Sequence, residues 1–238
     1  MKTIFLLITC VIWMLCGFSD IYGQAKTATL DDVADEYIDR GVSYNKKGDY
    51  DQAILNFNKA IELEPDYARA YLNRGLVYFL KGNYDQALLD YNKTIELKPE
   101  IPNAYNNRGL VYYKIGDYNK ALLNFNKAIE LKSDYFLAYH NRGIVYGDKG
   151  DYDQALFNYN KVIELNPDYP NAYNNRGNIY NKRGNYKQAL LDYNKAIELD
   201  PWAAEGYKNR ATLYRKLKKI SLAEDDENTY KTLNGNQR

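Results

Sequence analysis

The chain has 238 residues, with 32 Lys and Arg against 31 Asp and Glu, 26 Tyr, 15 Gly, two Cys and one His. A formal charge of +1 provides no basic field for a phosphate backbone, which argues against nucleic acid as a partner. One His and two Cys leave little from which to build a metal site or a nucleophile–base pair, so no metal, no cofactor and no catalytic residue are expected.

Residues 1–25 read as a secretory signal peptide. Lys2 precedes an apolar run from Ile4 to Phe18, polarity returns at Ser19 and Asp20, and small residues follow at Gly23 and Ala25. The run is short for a membrane span, so the mature chain is expected to be exported, periplasmic or secreted, with no membrane contact unless the segment stays uncleaved as an anchor. Cys10 and Cys16 both lie inside it, so a mature chain starting near Ala25 or Lys26 would carry no disulfide. Residues 26–33 form a short lead-in.

From there a fixed period governs the sequence. Arg-Gly recurs at 40, 74, 108, 142 and 176, each 34 residues after the last. A period of this size signals a solenoid, in which each unit buries its apolar face against its neighbours. With this Gly as position 8, units start at Ala34, Ala68, Pro102, Phe136 and Pro170, so five repeats occupy residues 34–203. A degenerate sixth repeat and a capping helix follow over 204–233, with a frayed tail at 234–238. Within a unit two helices are predicted. Tyr105, Gly109 and Tyr112 share one face of the first, and Ala121, Phe125 and Ala128 share one face of the second. Asp or Asn at position 16 is placed to cap the second helix, and Gln follows three residues later at Asp49/Gln52, Asn83/Gln86, Asp151/Gln154 and Asn185/Gln188. Pro65, Pro99, Pro167 and Pro201 stop that helix; Ser133 replaces proline in the third unit, where a less sharp end is expected.

An aromatic at position 4, Gly at 8, Tyr at 11, Ala at 20, an aromatic at 24, a small residue at 27 and Pro at 32 resemble the tetratricopeptide repeat. The resemblance spans residues 34 to about 216. It implies an all-α, right-handed superhelical solenoid of antiparallel helix pairs that binds other proteins or peptides in its concave groove and is not an enzyme. Arg at position 7 departs from the family's usual aliphatic residue; Asp90 and Asp192 are candidate partners, with Asn in equivalent places elsewhere. Positions 4, 11, 17, 24 and 34 account for 23 of the 26 tyrosines, a regularity that favours packing between helices over an exposed aromatic platform.

On the face of the first helix opposite position 4, position 6 reads Asp39, Asn73, Asn107, Asn141, Asn175 and Asn209. Asparagine is a mediocre helix former, so five in register suggest a ladder of amides, each able to donate and accept, for the backbone of an extended peptide. Such a ladder is similar to one in the tetratricopeptide superhelix of O-linked N-acetylglucosamine transferases. The remaining groove candidates are Leu76 and Leu110 at position 9 and Asn106, His140 and Asn174 at position 5. The groove grades from apolar at Ile38, Leu72, Leu76, Phe79 and Leu80 to polar and basic at Asn178, Lys208, Arg215 and Lys216. An extended or helical partner segment is therefore expected to lay its apolar side chains over repeats 1 to 3. The cations with which some family members clamp a C-terminal carboxylate are missing at the matching positions Ile38, Asn73, Asn103 and Asn107. The alternative reading is a self-assembling scaffold, a homo-oligomer joined through convex faces or stack ends.

Overall fold

A computed structural model describes residues 30–235. It contains twelve helices and, among the described residues, no strands: α1 Leu30–Lys46, α2 Tyr50–Leu63, α3 Ala68–Leu80, α4 Tyr84–Leu97, α5 Pro102–Lys114, α6 Tyr118–Leu131, α7 Phe136–Asp148, α8 Tyr152–Leu165, α9 Pro170–Lys182, α10 Tyr186–Leu199, α11 Ala204–Lys216 and α12 Ile220–Gly235. The signal-peptide reading of residues 1–25 lies outside the described residues. Two boundaries differ from the sequence reading. Helix α1 starts at Leu30, inside the lead-in, and α12 runs through Gly235, beyond the predicted start of the tail.

Odd- and even-numbered helices pair within each unit, and each even helix packs on the odd helix of the next. Neighbouring odd helices touch one another and neighbouring even ones do not, which puts the odd helices on the inside of the curve. The turn within each unit needs a left-handed residue, and Gly48, Gly82, Gly116, Gly150 and Gly184 supply it at φ between 78° and 83°. The degenerate sixth unit strains Lys218 into the same region, at φ 58°.

The position-8 glycines let the two helices of a unit approach. A Cβ on Gly109 would lie 2.7 Å from the Phe125 ring, and one on Gly177 2.8 Å from the Tyr193 ring. The core is thus an aromatic of the even helix laid on a glycine of the odd one, flanked by fully buried alanines such as Ala121 and Ala128. The tyrosine columns pack as expected: Tyr105, Tyr139 and Tyr173 are buried, and the rest of positions 4 and 11 are half-buried.

Capping follows the residue at position 16 more than the Gln after it. Asp49, Asp151 and Asn185 accept from the backbone N–H three residues on, and so does Asp117, which precedes Lys120 rather than Gln. Asn83 makes no such bond. Helix α6 ends at Leu131, in register with the ends at Leu63, Leu97, Leu165 and Leu199, although Ser133 stands where proline was expected. Packing sets that end, and the proline is dispensable.

The candidate binding groove and the clasp behind it

Behind the groove, Arg at position 7 ties three helices together. Arg74 bonds both carboxylate oxygens of Asp90 on α4, at 2.9 and 2.6 Å, and Asn58 on α2 at 2.6 Å. Arg176 and Arg210 repeat this with Asp192 and Asn160, and with Asp226 and Asn194. Where Asn replaces Asp the link persists: Arg108 reaches Asn124 and Asn92, and Arg142 reaches Asn158 and Asn126. The pairing is therefore a rule in repeats 2 to 6; the charge of the partner is what varies. Asp90 raises the Arg74 pKa, outweighing desolvation, whereas Arg142, facing neutral Asn158, is lowered by burial. In every unit the guanidinium also stands 5.3–5.7 Å from the position-4 Tyr ring. The sixth-unit partner Asp226 explains how α12 is anchored as the end cap.

On the groove side the asparagines do not simply face water. From the fourth unit on, position 6 of one unit bonds position 5 of the unit before. Asn141 Nδ2 donates to Asn106 Oδ1 at 2.9 Å and Asn209 Nδ2 to Asn174 Oδ1 at 3.0 Å. Asn175 Nδ2 lies 3.0 Å from His140 Nε2. An amide nitrogen can only donate, so Nε2 accepts and the ring proton sits on Nδ1. The first two rungs differ because position 5 is apolar there: Asn73 Nδ2 donates to the Arg69 carbonyl, and Asn107 Oδ1 accepts from Asn106 Nδ2. The expected ladder of two-way amides is thus, over Asn141, Asn175 and Asn209, a row of side-chain oxygens whose nitrogens are already engaged.

His140 and Asn106 are buried between neighbouring helices, at 8% and 4% exposure, and are not the open groove residues that the sequence suggests. His140 packs edge-on against the Tyr169 ring at 5.2 Å and near Tyr159 at 6.0 Å. Burial pushes its pKa down to about 4, leaving it neutral at pH 7. Leu76, Leu110 and Asn174 are half-buried, and Leu110 also leans on the Phe125 cluster of its own unit. Among the described residues no group of three His, Cys, Asp or Glu side chains could hold a metal, and no helix is long and apolar enough to cross a membrane.

The outer face carries a feature missing from the sequence reading. Position 22 presents Leu55, Leu89, Leu123, Phe157 and Leu191, each at least half exposed, as a ridge along the even helices. Tabulating each column of the repeat exposes it: apolar residues recur there five times, one position past the core Ile or Leu at 21.

These elements define a class: a helical-pair solenoid with an inward-curving face, the architecture of a protein-interaction scaffold. A family model described as TPR repeat matches residues 41–82, 75–116, 111–150 and 145–182, and one described as tetratricopeptide repeat matches 170–202. The chain belongs to the tetratricopeptide repeat family, whose members are generally non-enzymatic scaffolds that bind protein or peptide partners.

Solved structures agree. A MamA protein is 28% identical at a TM-score of 0.60, covering 73% of this chain and 95% of its own. YrrB, described as a TPR protein with an unusual peptide-binding site, is 26% identical at 0.58, covering 73% and 90%. PilF of Pseudomonas aeruginosa superimposes better, at 0.76 over 86% and 93%, but at 22% identity it speaks for the fold alone. No curated protein sequence matches the chain significantly.

Proposed function

We propose that the protein holds an extended segment of a protein partner in its inner groove. The Asn141, Asn175 and Asn209 side-chain oxygens would accept from the partner's backbone N–H groups, and Leu72, Leu76 and Leu110 would take its apolar side chains. The observation that carries this reading is the fixed orientation of the position-6 amides. Each nitrogen is anchored to the preceding unit, so the oxygen is held for an incoming donor without further loss of side-chain entropy. The peptide-binding site named for the YrrB structure lends support by analogy. The test is binding of peptides selected from a random display library, compared between the wild type and Asn141→Ala/Asn209→Ala, two of the anchored amides. Circular dichroism reads helicity in parallel, which should stay intact while affinity drops. Unchanged affinity sinks the reading.

A second reading is favoured by the position-22 ridge: self-association through the outer face. Sedimentation at rising concentration, with Leu89→Glu and Leu123→Glu as controls, separates the two, since a strict monomer refutes it. We also propose that residues 1–25 direct export. The mass of the mature chain in an extracytoplasmic fraction, starting near Ala25 or Lys26, is the check.

A further inference from the structure

In the fourth unit the inner face is opened by a missing side chain. Position 12 of the first helix carries Phe79 in the second unit and Tyr113 in the third, each packed over the core of its own unit. The fourth unit has Gly147 there, on α7. A cavity of about 190 Å³ opens beside it between α7 and α9, lined by Ile144, Gly147, Tyr159, Asn175, Asn178 and Ile179, with Asp148 and Lys182 on its rim. That is more than ten times the ~10–15 Å³ that admits one water.

The floor of this cavity is Tyr159 of the fourth unit. Position 24 is Phe57 and Phe125 in the first and third units, which shows that the fold needs no hydroxyl there. Tyr193 donates to Asn178 Oδ1 at 2.8 Å. The Tyr91 hydroxyl is sealed and unpartnered in a cluster that Phe79 helps cover. Tyr159 is 3% exposed and lines the open cavity, so a ligand seated there would meet its ring and hydroxyl. A hydrogen bond to that hydroxyl would add about 0.5–1.5 kcal/mol.

We infer that this cavity is an anchor pocket for one uncharged side chain with an apolar body and a hydrogen-bonding tip, for which tyrosine is the best fit. Ile144, Ile179 and the bare Gly147 backbone offer apolar contact. Asn175 Oδ1 accepts, and Asn178, whose oxygen is taken by Tyr193, is left with its nitrogen to donate. A charged tip is disfavoured because it would be desolvated against Ile144 and Ile179, while Asp148 and Lys182 on the same rim roughly cancel and favour neither sign. Asp148 also accepts from the Tyr113 hydroxyl at 2.8 Å, which holds it in place.

This inference rests on the groove reading but can fail separately from it. The probes are N-acetyl-tyrosinamide, N-acetyl-leucinamide and N-acetyl-lysinamide, titrated at millimolar concentration into the ¹⁵N-labelled full chain. Tyrosinamide should give saturable shifts at Gly147 and the Asn178 side-chain amide, with weaker effects from leucinamide and none from lysinamide. Gly147→Asn copies the residue at this position in Asn45 and Asn181 and should abolish the shifts while the helical spectrum and the backbone resonances of the other units are kept. Tyr159→Phe copies Phe57 and Phe125, and should weaken binding about tenfold, one hydrogen bond's worth. No saturable shift, equal response to all three probes, or undiminished binding in Gly147→Asn would overturn the assignment. Asn141→Ala/Asn209→Ala, neither of which lines the cavity, should leave the tyrosinamide response intact. If that response survives while selected peptides bind wild type and this variant alike, the groove reading falls and the pocket stands; peptide binding without a tyrosinamide response means the reverse.

Discussion

Acidification should loosen the fourth repeat through a single imidazole. Burial pushes the His140 pKa from its ordinary 6.5 down to about 4, and its Nε2 accepts from Asn175. A base with a depressed native pKa stabilises the fold while neutral, and that contribution is lost as pH falls from 6.5 towards 4, because the unfolded chain takes up the proton first. At ~1.4 kcal/mol per pH unit, stability should drop by about 2 kcal/mol between pH 7 and pH 5, and by about 3 kcal/mol at pH 4. The control comes from the neighbouring repeats, where Asn106 and Asn174 fill the same position and accept the same bond. His140→Asn should keep the Asn175 link and flatten the pH dependence by that amount. Urea midpoints of both proteins from pH 7 to pH 5, with amide exchange in α7 as a local readout, supply the comparison. Carboxylates titrating in this range affect both proteins alike and cancel in the difference. An imidazole midpoint near 6.5 by NMR, or equal pH slopes in the two proteins, would refute the reasoning.

Other substitutions probe the packing code. Gly109→Ala places a methyl 2.7 Å from the Phe125 ring and should cost about 1–3 kcal/mol in a thermal melt despite alanine's better helix propensity. Gly147→Ala meets only the flexible end of Ile179, Cδ1 at 3.2 Å, so its net change should stay within about 1 kcal/mol. The contrast separates a glycine kept for helix approach from one whose neighbour can yield. Asp90→Ala strands the Arg74 guanidinium against a 4%-exposed site and should cost about 3–5 kcal/mol by urea denaturation. Asp90→Asn, by contrast, imitates the working Arg108–Asn124 pair, and its loss should stay nearer 1 kcal/mol.

The helices and their order were legible in the sequence because period, turn glycine and apolar face agree in the first five units. Contacts across repeats were not. The half of the clasp inside a unit, from Arg74 to Asp90, was legible as a candidate pair, but the link back to Asn58 in the preceding unit was not, because single-unit periodicity gives no hint of it. The rung from Asn141 to Asn106 spans 35 residues, one more than the period, and amide patterning alone does not reveal that shift. Burial of His140 follows from its own rung to Asn175 and from Tyr169, which belongs to the loop leading into the next unit. The anchor pocket depends on what Gly147 lacks, and a glycine inside a helical pattern reads from sequence as mere weakness.

The clasp also gives the array a direction of melting. Each of Arg74, Arg108, Arg142, Arg176 and Arg210 rivets its own unit to the one before it, but Arg40 has no earlier helix among the described residues and bonds Glu36 on its own exposed surface instead. The last unit, by contrast, is tied to the fifth through Asn194 and closed internally through Asp226, both by Arg210. In a quasi-one-dimensional stack each end has one interface, so opening starts at the end whose own helix pair is held less firmly. The first helix pair is thus the loose end of the spring, and exchange protection should rise from the first unit inward, with the fully riveted sixth unit fraying later than its terminal place would suggest.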